Sequence, residues 1–286
     1  MKKLFLFLFC FGGVNAQSND DGRTINIPVI FHVIYSDRQH DGAGGANTSE
    51  NVPTALLIAE LNSLNLDFLK LNTDINQVAP QFQGITGNPN INFFLADTIL
   101  QPGGEKGIKR VKDSRNKSRL YNRSDIIDHE RYLNVYIGNI PGSFSPSQTP
   151  WLIPDKDAVF LEFSWIGQGY RLLTHEVAHW MGLLHLWGTG TAFGDAQSCT
   201  VGDGISDTPP QKEATQTNAD CDDCPPPYGK AAVQKKCPGG QETNFNNFMD
   251  YSGCRKMFTI EQAKAMRMNA MLHRQKLWAK SMPLKK

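Results

Sequence analysis

Three histidines, a glutamate and a glycine lie at a spacing that suits catalytic metal chemistry. The stretch from His175 to His185 reads H-E-x-x-H-x-x-G-x-x-H. Because an α-helix turns every 3.6 residues, His175 and His179 lie one turn apart on one face and can reach a single metal ion. Glu176 can then turn its carboxylate toward a water on that metal. Gly182 adopts a positive φ at little cost, so the helix can end there and His185 can return as a third ligand.

Three neutral imidazoles and one open coordination position are typical of a catalytic zinc site rather than a structural one. The alternative is an amphipathic core helix with incidental histidines. That alternative is disfavoured, because burying three imidazoles on one apolar face without a metal is costly. The pattern therefore predicts attack by a zinc-bound water, with Glu176 as the general base.

Two segments downstream of the histidines carry a family resemblance. Residues 247–252 read NFMDYS and residues 202–209 read GDGISDTP. With the histidine motif, they resemble the pappalysin family (peptidase M43) of the metzincin clan of zinc metallopeptidases. The resemblance covers nearly all of the chain after its first residues. It implies an exported zinc-dependent endopeptidase that hydrolyses peptide bonds in proteins.

The resemblance also implies a fold of α+β class. A twisted, mixed but mainly parallel sheet carries a backing helix and the active-site helix, and a loop-rich C-terminal subdomain ends in a closing helix. It implies an edge strand near residues 132–139 that runs along the cleft and pairs with the substrate backbone. We expect the N-terminal subdomain to span 17–182 and the C-terminal subdomain to span 183–286, within one catalytic domain.

Further site residues follow from the resemblance. Met249 lies in a turn that supports the metal site, and Tyr251 donates a hydrogen bond to the oxyanion; simple packing is the alternative for Tyr251. Asp203, a carbonyl near Ser206 and Thr208 form a possible structural calcium site. A capped turn without metal is the alternative there.

Five cysteines follow the N-terminal stretch, at Cys199, Cys221, Cys224, Cys237 and Cys254. The odd number leaves at least one free. The resemblance implies a Cys199–Cys237 disulfide and a second one from Cys254 to Cys221 or Cys224. The C-x-x-C pair could instead form a small metal site or a redox pair, which is the less favoured interpretation for an exported chain.

The first 16 residues have the pattern of a secretory signal peptide, with two lysines, a short apolar run and a small residue at Ala16. Lipoprotein anchoring through Cys10 is the alternative, but Phe9 stands where a small residue is expected. The net charge of +1 gives no reason to expect nucleic acid as a partner. No later stretch is apolar enough to span a membrane. A monomer is the default expectation.

Periodicity predicts the remaining elements. Runs of β-branched and aromatic residues indicate strands, and apolar residues at helical spacing indicate helices. The predicted strands are 24–36, 90–98, 107–111, 132–139 and 157–165, and the predicted helices are 53–71, 170–181 and 260–278.

Latency, specificity and rival functions complete the expectations. Only seven residues separate Ala16 from Thr24, so we expect no inhibitory pro-segment. Some pappalysins use an acidic residue beyond the methionine turn to prefer a basic residue after the cut. Ser252 and Gly253 offer no such carboxylate, so a basic preference is not expected here. The rival functions are a non-catalytic zinc-binding protein of the same fold and a hydrolase of a non-peptide substrate.

Overall fold

A computed structural model describes residues 20–40, 47–113, 125–140, 142–145, 149–189, 192–215 and 236–280. The predicted signal peptide with Cys10, and the pair Cys221 and Cys224, lie outside these residues. No helix in the described part of the chain is long and apolar enough to cross a membrane.

The structure contains a five-stranded sheet, and all of the pairs between its strands are parallel. The first strand is its centre, since it pairs with β2 through its first half, with β3 through its second half and with β4 on its other side. The strands are β1 (Ile25–Tyr35), β2 (Ile91–Leu95), β3 (Ile108–Lys112), β4 (Leu133–Gly138) and β5 (Ala158–Glu162).

The expected edge strand at residues 132–139 is wrong. Strand β4 lies between β1 and β5, and every one of its residues is buried. A strand with a neighbour on each side and both faces covered is buried along its whole length, as β4 is. The sequence pattern alone does not show whether such a strand lies inside a sheet or at its edge. On the side of β5 away from β4, Phe144 forms an antiparallel bridge with Phe160 of β5, with two backbone hydrogen bonds of 2.9 Å. Residues 142–145 therefore border this edge of the sheet.

Five helices accompany the sheet in the described part of the chain. Helix α1 buries Leu57, Leu61, Leu64 and Phe68, a spacing of three to four residues that turns one face toward the core. It contacts β2 and α3, so it is the backing helix that the sequence predicts. The helices are α1 (Thr54–Phe68), α2 (Pro80–Gln83), α3 (Leu172–Trp180), α4 (Ile260–His273) and α5 (Gln275–Lys280).

The single closing helix expected over 260–278 is two helices, broken at Arg274. The backbone of Arg274 leaves the helical region, with φ −126° and ψ 48°. Its buried guanidinium donates to both carboxylate oxygens of Asp157, over 3.0 and 3.1 Å, and to the carbonyl of Trp180. A buried cation needs such partners, and the break lets it reach them.

Loops make up most of the described chain between Gly182 and the start of α4. The Cys199–Cys237 disulfide is present and closes a segment of 38 residues. Cys254 is also disulfide-bonded, and its partner lies outside the described residues. Thr259 and Gln262 form a reciprocal capping box that starts α4.

Candidate active site

Helix α3, which carries the histidine motif, is fastened at its start by charged side chains. Arg171 precedes the helix in a left-handed conformation, φ 56°. Its guanidinium makes two hydrogen bonds to Asp74, of 2.8 and 2.9 Å, and lies 3.4 Å from Asp67 on α1. The hydroxyl of Thr174 donates to the same Asp67 over 2.7 Å. The position of the helix therefore depends on α1 and on the segment after it.

The end of α3 follows from Gly182. Its φ is +93°, and its N–H donates to the carbonyl of His179 while the N–H of Leu183 donates to that of Ala178. These two bonds define a Schellman motif, in which glycine is favoured because the left-handed conformation strains other residues. The chain reverses there, and His185 comes back to the helix.

The three histidines converge through their Nε2 atoms. Nε2 of His185 lies 3.2 Å from Nε2 of His175 and 3.0 Å from that of His179. On the other side of the rings, Nδ1 of His175 donates to the carbonyl of Phe248 over 2.6 Å, and Nδ1 of His179 donates to that of Leu183 over 2.7 Å. With the proton on Nδ1, each Nε2 presents a lone pair to the same point.

This arrangement fits a zinc ion. Zinc–imidazole bonds of about 2.0–2.1 Å in a tetrahedral site put the nitrogens roughly 3.3 Å apart. The observed separations are close to that value. Burial lowers the pKa of all three imidazoles, that of His179 to about 4, so they are neutral and able to ligate. Carbonyls that accept from Nδ1 are also the usual outer partners of metal-bound histidines.

Glu176 is buried beside the histidines. Burial raises the pKa of its carboxyl to about 8, and a hydrogen bond from the backbone N–H of Ser145 and the charge of Arg255 oppose that rise. Residues 142–145, outside β5, therefore reach over to the carboxylate of Glu176. A buried carboxylate with a raised pKa is a stronger base than one in water.

Two aromatic side chains border the histidines. The ring of Tyr251 lies 5.0 Å from His185 and 5.5 Å from His175, between ring centres, and it is 45% exposed. Burial and the charge of Glu176 raise the pKa of its phenol, so the hydroxyl keeps its proton. Trp187 stacks on His185 at 4.5 Å and holds that ring in place.

Met249 is fully buried in the main hydrophobic cluster. Its N–H donates to the side-chain oxygen of Asn247, whose amide group donates to Gln262 at the start of α4. The turn that carries Met249 and Tyr251 is therefore anchored to the C-terminal helix as well as to His175.

Two residues of the possible calcium site are in direct contact. Asp203 accepts from the Thr208 hydroxyl over 2.6 Å and from the N–H of Ile205 over 3.0 Å. Its second oxygen is buried and has no hydrogen-bond partner among the described residues. Burial raises its pKa to about 7. Ser206 is exposed, and the neighbouring Asp207 caps α4 through Thr259 and Glu261.

Sequence reasoning missed four contributors to the site. The N–H of Ser145 acts through the backbone, which leaves no mark on residue type. The carbonyls of Phe248 and Leu183 are hidden for the same reason. Arg255, whose charge acts on Glu176, lies just after Ser252 and Gly253. From the sequence alone, that segment is of interest only for an acidic specificity residue, which it lacks.

Comparisons with known proteins agree with this geometry. A family model described as pregnancy-associated plasma protein-A, peptidase M43, matches residues 117–273. This chain belongs to the peptidase M43 family. It is a zinc metalloendopeptidase, as the histidine motif and the resemblance predict.

Extracellular metalloproteases of fungi are among the curated proteins similar to this M43 peptidase. An extracellular metalloprotease of Arthroderma benhamiae is 37% identical over 266 residues, which cover 87% of this chain and 78% of the relative. An extracellular metalloprotease of Uncinocarpus reesii is 28% identical over 243 residues, which cover 84% and 74% of the two chains.

Solved structures of Tannerella forsythia mirolysin resemble the M43 fold described above. A promirolysin variant has a TM-score of 0.66 and 26% identity, and the match covers 91% of this chain and 85% of that one. Mature mirolysin in complex with a cleaved peptide has a TM-score of 0.63 and 25% identity, and the match covers 91% and 99%. The predicted α+β metzincin fold is confirmed.

Proposed function

We propose that this M43 peptidase is exported and cuts peptide bonds within polypeptides at a zinc ion held by His175, His179 and His185. One observation carries the proposal. Three neutral imidazoles, two of them buried and that of His185 partly buried, turn their Nε2 atoms toward each other, with Nε2 of His185 within 3.2 Å of the other two, while carbonyls fix His175 and His179 from behind. The Nδ1–H groups of His175 and His179 are used by carbonyls, so their Nε2 atoms carry lone pairs and only His185 could place a proton between the three rings. A metal cation satisfies all three nitrogens at once.

Zinc bound there supplies a Lewis acid that lowers the pKa of a water to about 7 and polarises the scissile carbonyl. Glu176 takes a proton from the attacking water at its carboxylate and delivers it to the leaving amine. The N–H of Ser145 keeps that carboxylate oriented between the two transfers. Burial, which raises the pKa of Glu176, makes it a better proton acceptor.

Tyr251 stabilises the negative charge that develops on the carbonyl oxygen. Its ring lies over the histidines, and its hydroxyl is protonated and has no hydrogen-bond partner among the described residues. A donor that is positioned before the reaction stabilises an oxyanion without reorganisation. Met249 and Gly182 contribute by shaping the turns that hold the ligands.

Residues 142–145 are the surface on which a polypeptide substrate lies. Phe144 bonds inward to Phe160, so the backbone groups of Ser143, before it, face away from β5, as the alternation of an antiparallel pair requires, while the N–H of Ser145 is bonded to Glu176. Backbone groups presented in this way pair with an extended chain of almost any sequence. The mature mirolysin structure with a cleaved peptide supports a peptide ligand for this fold.

A calcium ion held by Asp203 and Thr208 is the second metal we propose. The buried second oxygen of Asp203 lacks a partner among the described residues, and a hard cation with oxygen ligands satisfies such a group. We expect added calcium to raise the Tm of the zinc-loaded wild-type protein. We expect the Tm of Asp203→Asn to be the same with and without calcium. An unchanged response in that variant contradicts this site.

Export is supported by the relatives, which are named extracellular metalloproteases, and by the Cys199–Cys237 disulfide. We propose that residues 1–16 direct it and are removed. Amino-terminal sequencing of protein secreted from a host cell tests the cleavage point after Ala16.

Cleavage of a mixed peptide library by the purified 17–286 chain, followed by mass spectrometry, tests the catalytic proposal. We expect internal cuts that disappear with a zinc chelator and in Glu176→Ala. Glu130→Ala, at an exposed glutamate paired with Lys276, serves as the matched control and retains activity.

Zinc content separates ligands from catalysts in the same preparation. We expect one zinc ion per chain in the wild type and in Glu176→Ala, and less than one in His179→Ala. The exposed His273 provides the control histidine, through His273→Ala. No cleavage by folded, zinc-loaded protein contradicts the proposal and favours a binding role; cleavage of small esters alone favours a non-peptide substrate.

A further inference from the structure

Arg255 is fixed beside the start of the helix that carries the histidines. It follows Tyr251 by four residues, and its Nη2 donates to the carbonyl of Tyr170 over 2.7 Å. Tyr170 directly precedes Arg171, the residue before α3. In return, the guanidinium of Arg171 donates to the backbone carbonyl of Arg255. Both the main chain and the side chain of Arg255 are therefore held at this end of α3.

The two arginines differ in their partners. Arg171 is neutralised by Asp74, through two hydrogen bonds, and by Asp67. Arg255 has no carboxylate within 4.0 Å among the described residues, and its side chain makes one hydrogen bond there, to a neutral carbonyl. Arg255 is partly exposed, and none of its nitrogens is both buried and without a partner among the described residues, so its remaining N–H groups reach solvent.

The charge of Arg255 acts on the reacting groups. The guanidinium lies close enough to Glu176 and Tyr251, and to the imidazoles of His175 and His185, for its charge to act on all four groups. Burial lowers the pKa of the guanidinium and weakens the screening of its charge by water, and the charge of the nearby Asp250 opposes that fall in pKa. An ionised substrate group in the cleft would feel this charge strongly.

We propose that Arg255 is a specificity-determining residue that binds the side-chain carboxylate of an aspartate or glutamate next to the scissile bond. This inference rests on the proposed endopeptidase function. A guanidinium with free N–H groups forms paired, charge-assisted hydrogen bonds with a carboxylate, and a lysine or arginine side chain at the same place is repelled. Tyr251 and Glu176, on either side of the reaction, lie within the reach of the same charge.

Matched peptides test the inference. A cleavage site found in the library is made as C-terminally amidated peptides that carry Glu, Gln or Lys at each position flanking the cut. At one of the two positions, we expect kcat/KM to be at least about 10-fold higher for Glu than for Gln, the ratio that a hydrogen bond to a charged group of roughly 1.5 kcal/mol provides, and lowest for Lys. The preference shrinks as salt is added.

Variants assign the preference to this side chain. In Arg255→Gln the Glu-to-Gln ratio falls to about one, and in Arg255→Glu the order reverses so that Lys is preferred. Arg131→Gln, at a surface arginine paired with Asp128, leaves the ratio unchanged. Peptides with a free C-terminal carboxylate and no acidic side chain show whether a chain terminus is recognised in place of a side chain.

Each outcome decides the question. Equal cleavage of the Glu and Gln peptides by the wild type, or a ratio that survives Arg255→Gln, overturns the inference. If the Arg255 variants do not fold, the wild-type ratio and its salt dependence still decide it. No cleavage of any peptide contradicts the proposed function instead, so the two failures are distinguishable. Recognition of the free C-terminus alone contradicts the side-chain assignment.

Discussion

Nδ1 of His175 lies 2.6 Å from the carbonyl oxygen of Phe248, 73 residues further along the chain. Phe248 immediately precedes Met249, so this bond joins the histidine helix to the turn that carries Tyr251. The orientation of a candidate zinc ligand thus depends on a turn that is distant in sequence. Conditions that loosen the turn should therefore weaken zinc binding as well as the fold.

Asn247→Ala should loosen that turn. The change leaves the N–H of Met249 and the amide of Gln262 without their buried partner, so we expect the free energy of unfolding to fall by about 3 kcal/mol. Zinc affinity should fall by about 10- to 100-fold, as when other outer partners of ligands are lost. Denaturant titration and zinc competition measure the two effects. Asn92→Ala, at a partly exposed bond to Asn26, is the control and should cost below about 1 kcal/mol.

Gly182→Ala should displace His185. A Cβ at this position would lie 2.3 Å from the amide nitrogen of Asn269, and the φ of +93° is unfavourable for alanine. We expect a loss of stability of about 3 kcal/mol, from backbone strain and crowding together, and lower zinc content. Gly103→Ala separates the two causes, because its φ is also positive and nothing lies within 4 Å of its Cβ. Equal losses of stability in Gly182→Ala and Gly103→Ala would mean that the Asn269 side chain moves away and that backbone strain alone remains.

Tyr251→Phe should slow the reaction without removing the metal. Loss of one oxyanion donor typically lowers kcat by about 10²- to 10³-fold. We expect KM and zinc content to stay near those of the wild type, because the ring is retained. Steady-state kinetics on a peptide from the library measures this, with Tyr35→Phe at the end of β1 as the control. An unchanged kcat indicates that Tyr251 serves packing alone.

Asp250 should make stability depend on pH. Burial raises the pKa of its carboxyl from 3.8 to about 6. Below pH 3.8 the group is protonated in both states, and between 3.8 and 6 only the folded state keeps the proton. Its contribution to stability therefore falls as pH rises, by about 3 kcal/mol in total.

Asp250→Asn removes this dependence. The amide oxygen can still accept from the N–H groups of Thr215 and Tyr251, which the carboxylate binds over 2.9 and 2.8 Å. We expect the variant to gain on the wild type between pH 4 and pH 7 in denaturant titrations of the two proteins under identical metal conditions. A constant difference across that range is the contrary result.

Arg274→Gln should destabilise the protein strongly. The change leaves the buried Asp157 without its cation and frees the ring face of Trp180, over which the guanidinium lies at 3.4 Å. Breaking one side of a buried ion pair costs about 3–5 kcal/mol. The surface pair of Arg131 and Asp128 provides the comparison, since Arg131→Gln should cost below about 1 kcal/mol. Thermal denaturation of both variants measures the difference.

Local patterns in the sequence predict the elements well, because helical and strand periodicities report burial directly. The expected strand at 24–36 is β1, and the expected helix at 53–71 is α1, with ends that differ by a few residues. The spacing of the histidines predicts their convergence, because helix geometry and a glycine turn are local.

The errors share one physical cause, which is that they concern partners distant in sequence. The neighbours of β4 depend on how the whole sheet is ordered, and the break at Arg274 depends on Asp157, 117 residues earlier. The N–H of Ser145 and the carbonyl of Phe248 belong to the backbone, so no residue type signals them. Arg255 carries a clear charge, but its position beside α3 is visible only in three dimensions.

The central place of β1 in the sheet has a consequence for biosynthesis. Strand β1 is synthesised first but cannot complete its pairing until its neighbours β3 and β4 have been synthesised. The turn at Phe248 is synthesised later still. A nascent chain has its whole sheet at Glu162 and its last metal ligand at His185, but it lacks the Phe248 carbonyl that orients His175, and Tyr251 behind it, until most of the chain has been synthesised. We therefore expect shorter nascent chains of this peptidase to lack a fully ordered active site.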